Sequence, residues 1–350
     1  MFFLKQFLKQ TVELGVSDIH LEEGAAPAYR LNGEMFFVED VPPLTLDDMD
    51  DIFAEVLTDA TYDEFANRGD VDLSYEIPGV SRFRVNALNH YNGRGMVFRI
   101  ISNEIPTVES LGLPSVLNRI AEYNKGLVLV TGPTGSGKST TLATMINHIN
   151  TTRDAHIITI EDPVEYVHVS KRSYVEHRQI GLHAKDFTSA LKAALRQSPD
   201  VIMVGEMRDL ETIRQALRAA ETGHLVFGTL HTSSVVQTAS RLIDVFPADE
   251  QAQIRTLVAS VLKAVVNQQL LPGRRGGRVA AMEIMISNLS IASILREARF
   301  YQLRTFMMMG RSEGMQTLDY HLSELLSRKL ISMDTAAEYA TDVESLTRQD

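Results

Sequence analysis

The sequence predicts an α/β protein in two parts: a small α+β domain, then a larger domain built on a mainly parallel sheet. Three observations support this. Polar and apolar residues alternate along strands in the first 100 residues, short apolar runs separated by helical patterns follow residue 115, and GPTGSGKST (132–140) comes directly after the first of those runs. Alternating strands indicate a sheet with one solvated face, whereas continuous apolar strands indicate a sheet covered on both faces.

Composition excludes several kinds of site. The chain has 350 residues, a formal net charge of −11 at pH 7 and no cysteine, so disulfides and thiolate zinc sites are excluded. The acidic balance argues against nucleic acid as a partner. No apolar stretch approaches the ~20 residues that span a bilayer, and no secretion signal is evident. We therefore expect a cytoplasmic protein with no direct membrane span.

The first predicted domain covers residues 1–100 and mixes helices with alternating strands. A helix is predicted at 46–57, and strands are predicted at 28–38, with an Asn-Gly turn at Asn32–Gly33, and at 71–77, 81–88 and 95–101. Residues 101–114 form the predicted linker, because Pro106 and Pro114 discourage a helix there. The second domain then covers 115–350.

The second predicted domain alternates buried strands with helices. Its strands are predicted at 127–131, 156–162, 201–206, 224–231 and 279–285. Continuous apolar runs of this kind, joined by helical crossovers, are typical of parallel sheets with helices on both faces. The last ~60 residues have helical patterns and no repeats.

The stretch GPTGSGKST matches the phosphate-binding loop pattern G-x-x-x-x-G-K-[ST], and it lies between a strand and a helix as that loop requires. Its glycines allow backbone N–H groups to surround the phosphates, and the helix N-terminus adds positive charge. Lys138 is expected to reach the terminal phosphates of ATP, and Ser139 to offer its hydroxyl to Mg²⁺. The predicted nucleotide-binding residues are Gly132, Pro133, Thr134, Gly135, Ser136, Gly137, Lys138, Ser139 and Thr140.

Carboxylates follow two later strands, at the sheet edge where open α/β folds bind ligands. Glu161, Asp162 and Glu165 follow the strand at 156–162, and Glu206 ends the strand at 201–206. Acidic residues placed there suit Mg²⁺ binding and activation of water. An alternative interpretation for Asp162 and for Asp209, which follows the second strand, is helix capping.

Two histidines flank the next predicted strand. His231 ends the strand at 224–231, where it could sense the γ-phosphate, and this position favours a functional role. His224 begins the same strand, and packing or a backbone hydrogen bond explains it equally well.

Five motifs together resemble the PilT/secretion ATPase superfamily, and within it the type IV pilus retraction ATPases. They are SDIHL (17–21), GPTGSGKST (132–140), ITIEDPVEY (158–166), DVIMVGEMRDLETIR (200–214) and ETGHLVFGTLHTSS (221–234). The resemblance covers nearly the whole chain. It implies a PAS-like N-terminal domain, a RecA-like ATPase domain and a homohexamer that binds ATP and Mg²⁺ between subunits.

The resemblance also implies roles for individual residues. Glu165 would orient or deprotonate the attacking water, and Glu206 would act on the Mg²⁺ side with Ser139. In this family, arginines of the N-terminal domain reach the nucleotide, and Arg84 and Arg99 are our candidates, with Arg82 in reserve. Arg82 and Arg84 share one face of their strand. The alternative interpretation is that all three are ordinary exposed strand arginines.

Pilus retraction is the function that the resemblance favours. Assembly and secretion ATPases of this superfamily usually carry a tetracysteine zinc element, which a chain without cysteine cannot form. SIASILRE (290–297) resembles a retraction motif, although an amphipathic helix with one buried side would explain it as well. The expected partners are an inner-membrane pilus platform protein and a PilU-like paralogue, with the ring peripheral to that membrane. The alternatives are a pilus-assembly or type II secretion ATPase, or an accessory ATP-binding ring of the PilU type.

Overall fold

The structure is a computed structural model that describes residues 2–31, 33–39, 41–101 and 105–346. Asn32 of the predicted Asn-Gly turn lies outside the described residues. The chain divides into two compact units, 1–104 and 105–350, and each is considered by itself.

In its described residues, the first unit is an antiparallel sheet with three helices. Its strands have the order β3-β2-β1-β6-β5-β4, and every pairing is antiparallel. Along β5, burial alternates from residue to residue, so Phe83, Val85 and Ala87 enter the core while Arg82 and Arg84 lie on the other face. The elements are α1 (Leu4–Glu13), β1 (Asp18–Glu22), β2 (Ala28–Leu31), β3 (Glu34–Phe37), α2 (Leu46–Val56), α3 (Asp59–Arg68), β4 (Asp70–Ile77), β5 (Ser81–His90) and β6 (Gly93–Ile101).

The second unit is a seven-stranded sheet of order β13-β12-β7-β11-β10-β8-β9, in which only the β12–β13 pair is antiparallel. Every residue of β7, β10 and β11 is buried, which explains their continuous apolar runs. The strands are β7 (Gly126–Thr131), β8 (His156–Glu161), β9 (Tyr174–Gln179), β10 (Val201–Val204), β11 (Leu225–Leu230), β12 (Leu262–Pro272) and β13 (Arg278–Ile286).

Helices surround this sheet. They are α4 (Val116–Ala121), α5 (Lys138–Thr152), α6 (Phe187–Ala194), α7 (Leu210–Glu221), α8 (Val235–Asp244), α9 (Gln251–Val261), α10 (Leu289–Arg296), α11 (Leu303–Met309), α12 (Leu318–Ser327) and α13 (Met333–Tyr339). In α10, which contains most of the SIASILRE motif, Ile291, Ile294 and Leu295 are buried as the amphipathic pattern predicts. Among the described residues, no helix combines the length and apolarity needed to cross a membrane.

Two strands of the second sheet were not predicted from the sequence. β9 lies at the sheet edge and contains Glu176, His177 and Arg178, so it lacks the apolar run of a central strand. β12 begins at Leu262, directly after α9 ends at Val261, with no turn residue between them to mark the boundary. Both strands prove important for the site described below.

Of the predicted linker 101–114, residues 102–104 lie outside the described residues. Ile101 ends β6, and Val108 and Leu113 are buried in the core of the second unit. The apolar side chains of the described residues 105–114 therefore pack on the second unit.

Candidate active site

The phosphate-binding loop connects β7 to α5 and brings together all nine residues predicted to bind nucleotide. Pro133, Thr134 and Gly135 are exposed at its tip, whereas Lys138 begins α5 and is buried. The loop therefore presents a turn of backbone at the carboxyl edge of the parallel sheet, directly above the N-terminus of a 15-residue helix.

Two glycines of the loop are required by its geometry. Gly132 has φ 143°, and a Cβ atom there would lie 2.2 Å from the carbonyl oxygen of Gln268. Gly137 has φ 85°, and its Cβ would lie 2.8 Å from Gln268 Nε2. Any side chain at either position would meet β12, so the loop is packed tightly against that strand.

Gln268, which was not predicted from the sequence, holds the phosphate-binding loop by hydrogen bonds from β12. This buried side chain on β12 donates from Nε2 to the Ser136 carbonyl oxygen at 2.7 Å and accepts a bond from Thr141 Oγ1 at 2.6 Å. One amide thus joins the loop to the first turn of α5. The available signal was the polar triplet Asn267–Gln268–Gln269, which lies between the apolar pairs Val265–Val266 and Leu270–Leu271.

Replacing Gln268 with leucine should weaken nucleotide binding. The change leaves a buried carbonyl and a buried hydroxyl without partners, at a cost of about 1–3 kcal/mol each. If half of that cost falls on the loop's bound conformation, affinity for ATP drops about tenfold. Calorimetric titration with ATP measures the change, and Gln269→Leu, on the opposite side of the same strand, is the matched control. Equal affinities in the two variants would contradict the bracing role.

Lys138 lies at the centre of the site. Its Nζ donates to the Gly132 and Pro133 carbonyl oxygens at 2.9 and 2.8 Å. Burial lowers the pKa of Lys138 below its usual value, and the charges of Glu206 and Glu165 act in the opposite direction. Both predicted catalytic carboxylates therefore act electrostatically on the amine that the sequence assigns to the phosphates.

Glu206 forms the second cluster, with His231 and Arg208. The strands β10 and β11 are parallel neighbours, so the residues that follow them meet at one edge, and His231 Nε2 lies 2.9 Å from Glu206 Oε1. Arg208 Nε donates to the same oxygen. Burial works to raise the pKa of the Glu206 carboxyl, but the bonds and charges of Arg208 and His231 outweigh it and hold that pKa below its usual value. Glu206 is therefore an anion at neutral pH.

Glu165 lies on the loop that follows β8, partly exposed. Its backbone N–H donates to Glu161 Oε2 at 3.3 Å, and Glu161 is itself buried at the end of β8. Nearby, Tyr166 OH lies 3.0 Å from Thr140 Oγ1, which ties this loop to the phosphate-binding loop. A small cavity of about 20 Å³ separates Ser139 from Glu161.

Comparison with known proteins places the chain in a family. The family described as type II/IV secretion system protein matches residues 2–302, most of the chain. The chain belongs to this family. It is 46% identical over 337 residues to the type IV pilus retraction ATPase PilT of Pseudomonas aeruginosa, covering 96% of this chain and 98% of that one. A twitching motility protein of Neisseria gonorrhoeae is 46% identical over 322 residues, covering 92% and 86%.

A solved structure matches equally well. The crystal structure of the pilus retraction motor PilT with bound ADP superposes with a TM-score of 0.93 at 44% identity, covering all of both chains. The predicted α/β fold class, with an N-terminal domain before a RecA-like ATPase domain, is confirmed. The chain is a nucleotide-binding secretion ATPase of the PilT type.

The site of this secretion ATPase suits a nucleoside triphosphate. Ser136 Oγ is buried with no hydrogen-bond partner among the described residues, and a buried hydroxyl is costly unless a ligand or water satisfies it. Within residues 2–31, 33–39, 41–101 and 105–346, no group of three His, Asp or Glu side chains could hold a metal. Mg²⁺ usually takes only one or two protein carboxylates and completes its shell with phosphates and water, which fits one hydroxyl and one carboxylate here.

The predicted arginines lie in the first unit of the secretion ATPase. Arg84 and Arg99 face each other directly across β5 and β6. Arg99 Nε donates to the buried Asp18 at 2.8 Å, whereas Arg84 has a longer ion pair of 3.9 Å with Asp72. Arg99 is therefore held by a hydrogen bond to Asp18, whereas the ion pair between Arg84 and Asp72 is long.

Two alternatives left open by the sequence have structural answers. Asp209 is the N-cap of α7, where its side chain accepts from the backbone N–H of Thr212 at 2.8 Å, so the capping interpretation holds for it. Asp162 is exposed and precedes no helix. His224 Nδ1 lies 3.0 Å from the carbonyl oxygen of Ala219 in the last turn of α7, so the backbone hydrogen-bond interpretation holds for His224.

Proposed function

We propose that this chain is the subunit of a hexameric, Mg²⁺-dependent ATPase that powers retraction of a type IV pilus. One observation carries the proposal: the chain matches the PilT retraction ATPase along nearly its whole length, and the candidate residues for phosphate, Mg²⁺ and water lie at one edge of the second unit's sheet. In this proposal the ring acts in the cytoplasm on an inner-membrane platform protein and promotes removal of pilin from the fibre base.

The chemistry divides among the residues of the site. Lys138 and the loop N–H groups would hold the phosphates, and Ser139 and Glu206 would hold Mg²⁺, which when bound would supply positive charge to the phosphates. Glu165 orients or deprotonates the attacking water. His231 senses whether the γ-phosphate is present. Because it lies 2.9 Å from Glu206, it can pass this information to the carboxylate proposed to bind Mg²⁺. Arg84 and Arg99 of another subunit supply positive charge to the transition state.

Hydrolysis is thereby tied to the position of the first unit. A site that lacks its arginine turns over about 10³–10⁵-fold more slowly, so movement of that unit switches the reaction on and off. This switch would couple the shape of the ring to each turnover.

Deletion of the gene tests the direction of the motor. Retraction predicts that cells without the protein carry excess surface fibres and lose twitching motility, because fibres are still built but not withdrawn. Electron microscopy of surface fibres and a motility assay measure both. Loss of fibres would instead indicate an assembly or secretion ATPase.

A single-turnover assay separates the motor from an accessory ring. An accessory ring of the PilU type would bind ATP with little hydrolysis of its own, so the purified protein would release almost no phosphate. The motor releases phosphate without a paralogue. Complementation of the deletion by the Glu165→Ala protein would also contradict a motor role.

A further inference from the structure

The loop that carries Glu165, residues 162–168 and here called the Glu165 loop, is irregular, yet side chains hold its backbone. Three of its N–H groups donate to side-chain acceptors on β8 and β9. These bonds are Val164 N to Gln179 Oε1 at 3.3 Å, Glu165 N to Glu161 Oε2 at 3.3 Å, and His168 N to His177 Nε2 at 2.9 Å.

The bond to His177 fixes the protonation of that ring. A backbone N–H can only donate, so Nε2 of His177 must be the acceptor, and its proton must lie on Nδ1. Nδ1 lies 2.8 Å from Thr159 Oγ1, which is suitably placed to accept that proton's hydrogen bond. The ring can therefore accept the His168 N–H bond, and so hold the Glu165 loop, only while it is a neutral imidazole.

We propose that His177 is a positioning residue for Glu165: neutral His177 holds the Glu165 loop against β9, and protonation of the ring releases it. The inference rests on the proposed role of Glu165. A charged ring would carry a proton on Nε2. Nε2 and the His168 N–H would then both be donors, so the hydrogen bond between them would be lost. It could donate instead to the His168 carbonyl oxygen, 3.4 Å away, but the N–H would remain without its acceptor.

Positioning of this kind matters because a water-placing carboxylate must be held closely. A displacement of about 1 Å at a catalytic group can cost on the order of 10²-fold in rate. The Glu165 loop contains no helix or strand, so side-chain acceptors replace the backbone ladder that would otherwise hold it. β9 supplies two of the three acceptors.

Few charged groups face the His177 ring. From β8, Glu161 Oε1 lies 3.8 Å from Nδ1. From the Glu165 loop, the His168 ring stacks at a centroid distance of 5.7 Å, and the charge of Lys171, in the segment after that loop, acts on His168. Burial lowers the pKa of His168 to about 3, and the charge of Lys171 acts in the same direction. His168 is therefore neutral between about pH 5 and 8, where histidines commonly titrate, and does not cause a transition there.

The first test separates positioning from binding. His177→Leu in the full-length protein should lower kcat for ATP hydrolysis on the order of 10- to 100-fold and leave KM for ATP unchanged, because the phosphate-binding loop is not altered. Glu176→Gln, on the same strand but the opposite face, is the matched control and should match wild type. An unchanged kcat in His177→Leu would overturn the inference.

The second test uses pH and does not depend on the leucine variant folding. Glutamine at position 177 keeps an acceptor for the His168 N–H but does not titrate. Between about pH 8 and 5, kcat of the wild type should fall more steeply than kcat of His177→Gln. His231 is present in both proteins, so it does not account for a difference between the two profiles. Superimposable pH profiles would overturn the inference.

Glu165→Gln, assayed alongside, keeps the two proposals apart. Undiminished turnover in that variant refutes the role of Glu165, and the inference with it. Reduced turnover in Glu165→Gln together with normal turnover and pH dependence in both His177 variants refutes only the inference.

Discussion

Replacing Arg84 with alanine should lower ATPase turnover of the assembled protein by about 10³-fold or more, the loss typical of a missing arginine finger. Like charges that face each other across neighbouring strands are destabilising, so the Arg84–Arg99 pair has a stability cost that a function would explain. Of the two, Arg99 is bonded to Asp18. Arg84 is therefore the side chain with more freedom to meet a nucleotide.

Mixed rings decide whether Arg84 acts on another subunit's nucleotide. Lys138→Ala subunits lack the lysine proposed to bind the phosphates but keep Arg84. Arg84→Ala subunits keep Lys138 but lack the arginine. If one site uses both from different subunits, a random 1:1 mixture should recover about a quarter of wild-type turnover. Phosphate release measures it. A mixture as inactive as its two components would show that each site is completed within one chain.

Two further variants control for the loss of charge and of structure. Arg68→Ala removes an exposed arginine of α3 that pairs with Glu64 in the same helix, and it should leave turnover unchanged. Arg99→Ala leaves the buried Asp18 carboxylate without its charged partner, with only the Ser17 hydroxyl still donating to it, so it should lower the melting temperature as well as the rate. Arg84→Ala should lower the rate alone, which thermal unfolding checks.

Glu165→Gln should lower single-turnover hydrolysis by about 10²–10⁴-fold and leave ATP affinity nearly unchanged. The substitution keeps the size of the side chain but removes the charge and basicity that activate water. The amine of Lys138 and the loop N–H groups, which we propose hold the phosphates, keep their positions. Rapid-quench kinetics gives the rate and calorimetry the affinity.

The result also distinguishes Glu165 from Glu206. Loss of a metal-side carboxylate should raise the Mg²⁺ concentration needed for half-maximal rate, so Glu206→Gln should respond to added Mg²⁺. Glu165→Gln should not respond. Rescue of Glu165→Gln by Mg²⁺ would reverse the two assignments.

The sequence by itself determined the fold class, the phosphate-binding loop and the edge of the sheet where the candidate catalytic carboxylates lie. These features depend on residues that are close together in the chain. Buried strands appear in the sequence as apolar runs, and the loop needs its glycines and lysine at fixed spacing. Parallel strands then bring Glu206 and His231 together, because their carboxyl ends meet at one edge.

Only the tertiary structure decided what holds the site in place. Gln268 braces a loop more than a hundred positions away in the chain, and His177 holds the Glu165 loop from an edge strand whose polar sequence resembles a loop. Asp209 likewise could be separated from the catalytic carboxylates only by its bond to Thr212. A single polar residue has no periodicity, so its role depends on which distant backbone group folding places opposite it.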